Sequence, residues 1–123
     1  MEKVLVVDDG ADILKAIKVS LKDNYEVLTA ENAKDALHIF RSERPAIVIT
    51  DMRMPGMSGI ELMKQVKAID SAAQIIVISG HGDKETAVEA VRLGAVDFIV
   101  KPIDTKRLKR AVKRALEKPE TKQ

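Results

Sequence analysis

The sequence contains no cysteine and no tryptophan, and it has only one tyrosine and two phenylalanines. Without cysteine there is neither a disulfide framework nor a thiolate metal site, and a reducing cytoplasm fits this composition. Aromatic residues make up 2% of the chain, too few for a surface that binds nucleic acid by base stacking. No apolar run approaches the roughly 20 residues of a membrane helix, and no signal peptide precedes the first predicted strand. We therefore expect a cytoplasmic domain with no membrane contact and no direct nucleic-acid contact.

The chain has the composition of a globular domain with an uneven charge distribution. Its 123 residues are 46% hydrophobic and 33% charged, which argues against disorder. The net charge is only +2, but residues 101–123 carry nine Lys/Arg against three Asp/Glu. A basic segment of this kind can contact nucleic acid or a membrane. The solvated face of a terminal helix is the better interpretation, because no helix-turn-helix or zinc-finger spacing accompanies it.

Short Val/Ile/Leu-rich runs alternate with segments of helical periodicity. The predicted strands are Val4–Val7, Tyr25–Ala30, Ala46–Thr50, Gln74–Ser79 and Asp97–Val100. Continuous apolar runs of this length are typical of parallel strands that are buried on both faces. The pattern predicts an α/β fold, a (βα)5 doubly wound parallel sheet with helices on both faces. We expect one domain over residues 1–118, with residues 119–123 as a flexible tail or the start of a linker.

Three of the predicted strands end on charged residues. The first is followed by Asp8 and Asp9, the third by Asp51, and the fifth by Lys101. Because parallel strands point the same way, these side chains should converge on one edge of the sheet, where open α/β sheets bind ligands. Neighbouring carboxylates repel one another unless a cation neutralises them. Mg²⁺ fits, with Asp9 and Asp51 as direct ligands and Asp8 acting through water.

A carboxylate beside Mg²⁺ and an ammonium group can act as a nucleophile toward phosphorus. Catalysis would then consist mostly of positioning and of charge neutralisation on the transferring phosphoryl oxygens. Lys101 could neutralise one such oxygen, and Ser79 offers a hydroxyl at the end of the fourth predicted strand.

The motifs that carry these residues resemble the receiver domain of two-component response regulators, including the chemotaxis regulators. The resemblance spans roughly residues 2–118 and rests on Asp8-Asp9, Thr50-Asp51-Met52-Arg53-Met54-Pro55-Gly56-Met57-Ser58-Gly59, Ser79-Gly80 and Lys101-Pro102. It implies the flavodoxin-like strand order 2-1-3-4-5, of which a chemotaxis regulator is an example. It also implies a cis bond between Lys101 and Pro102.

The resemblance implies the following division of tasks within the site. Asp51 would be the phosphoacceptor, and Asp8 and Asp9 would be the acidic pair that binds Mg²⁺, with Mn²⁺ as a substitute. The main-chain carbonyl of Arg53 would complete the protein ligands. Lys101 would contact the phosphoryl group.

Further residues would respond to phosphorylation or set its lifetime. Ser79 would hydrogen-bond to the phosphoryl group, and Phe98 stands at the position of the family's switch aromatic. A half-buried strand aromatic is an equally good interpretation of Phe98. Arg53 and His81 occupy the variable positions that influence phosphoryl lifetime. Gly10 departs from the family, because many members have Glu there, and Ser79 replaces the commoner Thr.

Three functions compete for this site. The first is a signalling switch that takes a phosphoryl group from a histidine kinase or a phosphotransfer protein and loses it to water. The second is a Mg²⁺-dependent phosphohydrolase. Such enzymes commonly need a second Asp two residues after the nucleophile, where this chain has Arg53. The third, a nucleotide or flavin binder, lacks a glycine-rich phosphate loop after the first strand. We expect a switch, not an enzyme that turns over external substrates.

The family's usual output surface consists of the fourth helix, fifth strand and fifth helix. Here it carries Arg92, Asp97, Lys106, Lys109 and Arg110. These charges are compatible with a homodimer, with partner salt bridges or with plain solvation. Residues 79–101 are similar to receivers joined to ATPase-type transcription activators, so control of transcription through a fused or partner effector is a further expectation.

Overall fold

Five strands alternate with five helices along the chain. The computed structural model describes residues 1–80 and 84–117. The strands are β1 (Lys3–Val7), β2 (Glu26–Ala30), β3 (Ile47–Asp51), β4 (Gln74–Ser79) and β5 (Asp97–Val100). The helices are α1 (Ala11–Leu21), α2 (Ala33–Glu43), α3 (Gly59–Ile69), α4 (Lys84–Arg92) and α5 (Thr105–Glu117). The five predicted strands are confirmed, with bounds that shift by one residue in β1, β2 and β3. The predicted tail, residues 119–123, lies outside the described residues.

The strands form one parallel sheet in the order β2-β1-β3-β4-β5. The register pairs Val4 of β1 with Val27 of β2 on one side and with Ile47 of β3 on the other. Every connection between sheet neighbours therefore passes over a face of the sheet through a helix. The predicted doubly wound fold and the strand order implied by the family are both confirmed.

Alternate residues of the central strands pack into two separate hydrophobic clusters, one on each face of the sheet. Leu5 and Val7 pack in the cluster that includes α2, α3 and the buried residue of α4, whereas Val4 and Val6 pack in the cluster with α1 and α5. All four side chains are fully buried. Because both faces of these strands are buried, their sequences are continuous apolar runs without alternating polar residues.

Capping residues define the starts of α2, α3 and α5. Asn32 caps α2 by accepting a hydrogen bond from the backbone N–H of Asp35 at 2.8 Å. Ser58 caps α3, and Asp104 accepts from the backbone N–H of Lys106 at the start of α5 at 3.0 Å. Gly94, with φ +108°, follows α4 in the left-handed conformation that glycine tolerates best. Among the described residues, no helix is long and apolar enough to span a bilayer.

Candidate functional site

The carboxyl ends of the strands bring three acidic residues together. Asp8 and Asp9 directly follow β1, and Asp51 is the last residue of β3. One carboxylate oxygen from each lies within 4.8 Å of the other two. Asp8 and Asp51 are 1% and 6% exposed, whereas Asp9 is exposed at the rim. The predicted convergence of these acids is therefore what the fold produces, because β1 and β3 are sheet neighbours.

Lys101 reaches this group from the end of β5. Its Nζ lies 2.8 Å from Asp8 Oδ2 and 3.4 Å from Asp51 Oδ2. The lysine side chain is 20% exposed. The peptide bond between Lys101 and Pro102 is cis, as the family resemblance implied.

The two oxygens of Asp8 have different surroundings. Oδ1 accepts a hydrogen bond from the backbone N–H of Gly10 at 2.8 Å. Oδ2 is buried and accepts no well-aligned hydrogen bond from the described residues, although Lys101 stands close to it as an ion-pair partner. A buried carboxylate oxygen that lacks a full set of partners is a site that a hard cation can complete. The donor set of three carboxylates thus fits Mg²⁺.

Charge repulsion and burial act together on Asp51. Burial raises the pKa of the Asp51 carboxyl, and the neighbouring charge of Asp8 raises it further. Lys101 and the backbone N–H of Met52 oppose this rise without cancelling it. Burial lowers the pKa of the Lys101 ammonium, but the two carboxylates outweigh burial and the net pKa is raised. The ammonium therefore remains charged while the acids compete for it.

The backbone of Asp51 and Met52 packs closely against Gly59, the first residue of α3. The N–H of Gly59 donates to the carbonyl of Met52 at 2.9 Å. A Cβ built on Gly59 would lie 2.2 Å from the carbonyl oxygen of Asp51 and 2.9 Å from Met52 Cα. No side chain fits there, so glycine at this position permits the contact. Sequence reasoning assigned Gly59 no role, although the Ser58-Gly59 pair inside the Asp51 motif was a signal of a close approach.

The remaining predicted residues occupy different surroundings. Ser79 ends β4 and is fully buried, and its carbonyl accepts from the backbone N–H of Lys101 at 2.7 Å. Phe98 is half-buried and packs on the α2–α3–α4 side of the sheet. Arg53 is exposed on the loop after β3. His81 lies outside the described residues.

Comparisons with known proteins agree with this geometry. The sequence profile of the response regulator receiver domain matches residues 4–113. Sporulation initiation phosphotransferase F of Bacillus subtilis is 38% identical over 94% of this chain and 94% of its own length. Regulatory protein AtoC of Escherichia coli is 34% identical over 95% of this chain, which spans only 26% of AtoC.

Solved structures of similar sequence have the same fold. A response regulator receiver domain protein from Clostridium thermocellum matches with a TM-score of 0.89 and 37% identity, over 94% of each chain. The residues that match the sequence profile include Asp8, Asp9, Asp51 and Lys101. The chain belongs to the response regulator receiver domain family.

Proposed function

We propose that this chain is a phosphorylation-controlled signalling switch in which Asp51 accepts a phosphoryl group from a histidine kinase or a phosphotransfer protein. One observation carries the proposal. Asp51 is 6% exposed at the end of β3, and its carboxylate lies 3.4 Å from the Lys101 ammonium and beside two further acids. Nucleophile, counter-charge and metal donors thus meet at one accessible edge of the sheet.

Asp9 and Asp51 are proposed to hold Mg²⁺ directly, with Asp8 beside them and the main-chain carbonyl of Arg53 as a further ligand. Mn²⁺ would fit the same oxygen donors. The bound cation would neutralise charge on the phosphoryl oxygens during transfer. Lys101, which lies near both Asp8 and Asp51, would then be available to contact the incoming phosphoryl group.

The transfer itself is a nucleophilic substitution at phosphorus. An oxygen of Asp51 forms the new P–O bond while the P–N bond of the donor phosphohistidine breaks, and the imidazole nitrogen leaves with the electron pair. Lys101 stabilises the negative charge on one equatorial oxygen. Loss of the group to water breaks the same P–O bond and returns the carboxylate and inorganic phosphate.

Ser79 and Phe98 are proposed to convert phosphorylation into a changed surface. The Ser79 hydroxyl would bond to the phosphoryl group, and Phe98 on the adjacent strand would turn inward. The two strands are paired in register, with Val77 of β4 opposite Phe98 and Ser79 opposite Val100. Arg53 and His81 would set how long the phosphoryl group survives.

Receiver domains are signalling proteins, not classical enzymes, and this chain belongs among them. We propose that its only chemistry is its own phosphorylation and dephosphorylation. Phosphohydrolases of this kind commonly have their general acid two residues after the nucleophile. This chain has Arg53 at that position. The proposed domain extends over residues 1–118 in the cytoplasm. Control of transcription through a fused or partner effector, and a homodimer through α4, β5 and α5, stay predictions.

Incubation with Mg²⁺ and acetyl phosphate tests the proposal. Intact mass spectrometry should show the addition of one phosphoryl group, and Asp51→Asn should abolish it. Asp35→Asn is the matched control, since Asp35 is an exposed acid on α2 and its substitution should leave the added mass unchanged. Equal modification of the Asp51→Asn protein, or turnover of phosphomonoesters by the unsubstituted protein, would contradict the switch.

A further inference from the structure

Thr50 places a hydroxyl in an otherwise apolar row of the sheet. The register aligns one residue from each strand in this row, from β2 to β5: Ala30, Val7, Thr50, Val77 and Phe98. Thr50 is fully buried there. A valine would have nearly the same shape and would bury no polar atom, because it has a methyl group in place of the hydroxyl. A buried hydroxyl is costly unless it forms a hydrogen bond, so its partner indicates what it does.

The Thr50 hydroxyl donates a hydrogen bond to the main chain of the next residue. Its Oγ1 lies 3.0 Å from the carbonyl oxygen of Asp51. Successive side chains of a strand point to opposite faces of the sheet. Val48 packs with α2 and α3, so Thr50 lies on that face and the Asp51 carboxylate lies on the other. The hydroxyl therefore holds the backbone of Asp51 and not its carboxylate.

The same peptide unit is held at its other polar group. The N–H of Met52 donates to the carbonyl of Ile78 at 3.0 Å, and it lies close enough to the Asp51 carboxylate to favour the charged form. Because the peptide unit is planar, one hydrogen bond at its carbonyl and one at its N–H together fix its orientation. The unit that links Asp51 to Met52 thus has one restraint from β4 and one from Thr50.

The pairing of β1 with β3 explains why a side chain supplies the second restraint. The carbonyl and the N–H of a trans peptide point in opposite directions, so the Asp51 carbonyl points away from β4. On that side, β1 pairs with β3 only as far as Val7 and Thr50. Asp51 lies one residue beyond this last pair, and there the Thr50 hydroxyl provides the donor.

We propose that Thr50 is a positioning residue for phosphoryl transfer to Asp51. Its hydroxyl fixes the peptide unit after Asp51, which carries the N–H beside the carboxylate and leads the chain toward Arg53. The inference rests on the proposed function of Asp51. Without the hydroxyl, the nucleophile, Lys101 and the acidic pair all remain, but the Asp51 carboxylate is less well aligned with the phosphorus.

Phosphorylation rates of two variants at position 50 test the inference. Thr50→Val removes the hydroxyl and keeps the shape, whereas Thr50→Ser keeps the hydroxyl and removes a methyl group. With Mg²⁺ and saturating acetyl phosphate, intact mass spectrometry should show that Thr50→Val gains the phosphoryl group about tenfold more slowly, because small misplacements of reacting groups are costly. Thr50→Ser should restore most of the rate. The half-saturating concentration of acetyl phosphate should change little, because Lys101 and the acids are retained.

A second measurement reports the hydrogen bond without any phosphorylation. The NMR signal of the Asp51 backbone carbonyl carbon, recorded without Mg²⁺, should shift in Thr50→Val and return toward its original position in Thr50→Ser. The reason is that the first variant loses the hydrogen bond and the second keeps it. Thr50→Ala also lacks the hydroxyl and cannot overpack the site, so it takes the place of Thr50→Val if the valine variant does not fold.

The matched control is Thr29→Val, which makes the same chemical change in β2. Thr29 is half-buried and is the register partner of Val6, and β1 separates β2 from β3 in the sheet. This variant should be phosphorylated at the rate of the unsubstituted protein. An unchanged rate in Thr50→Val, equal slowing by Thr29→Val, or no recovery in Thr50→Ser would overturn the inference. An unsubstituted protein that gains no phosphoryl group would instead contradict the proposed function, and the inference with it.

Discussion

Asp51 and Asp97 are both strand-end carboxylates beside a cation, yet their surroundings drive their ionisation in opposite directions. Burial raises the pKa of Asp51, with Asp8 adding to the effect. The hydrogen bonds from Arg107 lower the pKa of Asp97. Lys101 forms ion pairs with two buried acids, Asp8 and Asp51. Arg107 instead donates a hydrogen bond from each terminal nitrogen of its guanidinium group to the Asp97 carboxylate.

The difference separates an ion group whose charges are incompletely balanced from one whose charges are paired. Asp51 is held where burial and the nearby charge of Asp8 both disfavour its ionised form. Asp97 is held in a satisfied pair that ties β5 to α5. Ionisation of Asp51 should therefore cost stability whereas ionisation of Asp97 should add to it, and removal of the neighbouring cation should cost more at Asp51 than at Asp97.

The largest effect should follow removal of the shared cation in Lys101→Met. Two buried carboxylates then lose their counter-charge, and the free energy of unfolding should fall by about 3 kcal/mol. The folded-state pKa of Asp51 already lies above its ordinary value, and loss of Lys101 raises it further. The loss of stability should therefore grow as the pH rises above about 4, where the unfolded chain ionises. Urea unfolding across a pH series measures this, and a pH-independent loss would contradict it.

A second substitution within the Lys101→Met background isolates the cause. Asp51→Asn removes one of the two acids and should recover about 1 kcal/mol. The same urea series provides the measurement. No recovery would mean that Lys101 stabilises the fold through packing and not through its charge.

Gly59→Ala should cost about 2 kcal/mol, because its Cβ meets the Asp51 carbonyl oxygen and overpacked sites must shift the backbone. The displaced Asp51 should also lose most of its reactivity toward acetyl phosphate. Gly56→Ala is the control, since Gly56 has φ +81° and no atom within 4 Å of the added Cβ. It should destabilise the chain through backbone strain alone, by about 1 kcal/mol, with phosphorylation kept. Equal loss of phosphorylation in both variants would refute the role given to Gly59.

The smallest effect should be that of Arg107→Gln, about 0.5 kcal/mol at neutral pH because the pair is partly solvent-screened. The folded-state pKa of Asp97 lies below its ordinary value, so the pair stabilises the fold above about pH 4. That contribution should vanish as the pH falls through the folded-state pKa, and the two proteins should then unfold alike. Arg110 forms no ion pair with the described residues, since Asp97 pairs with Arg107. The stability change caused by Arg110→Gln should therefore show no such pH dependence. Thermal unfolding at several pH values measures both.

The sequence predicted the strands well because both faces of the sheet are buried, and burial leaves continuous Val/Ile/Leu runs. It also predicted that Asp8, Asp9, Asp51 and Lys101 converge, since parallel strands share one edge. The strand order came only from resemblance to receivers, because periodicity carries no information about which strands are neighbours.

Contacts between segments that are distant along the chain could not be predicted from the sequence. Asp97 was predicted on the output face with its partner left open, and the structure pairs it with Arg107, which sequence reasoning did not single out. The crowding of Gly59 on Asp51 likewise depends on how the loop after β3 returns to α3. The unequal exposure of Asp8 and Asp9 depends on the turn into α1, where Gly10 N–H holds Asp8 Oδ1.

Amide chemical shifts recorded with and without Mg²⁺ and beryllofluoride show whether occupancy of the Asp51 site changes the surface at β5. We expect changes at Ser79 and Lys101 and also at Val91, Val100 and Arg110, all of them absent in Asp51→Asn. Changes confined to the residues around Asp51, or the same changes in Asp51→Asn, would contradict this expectation.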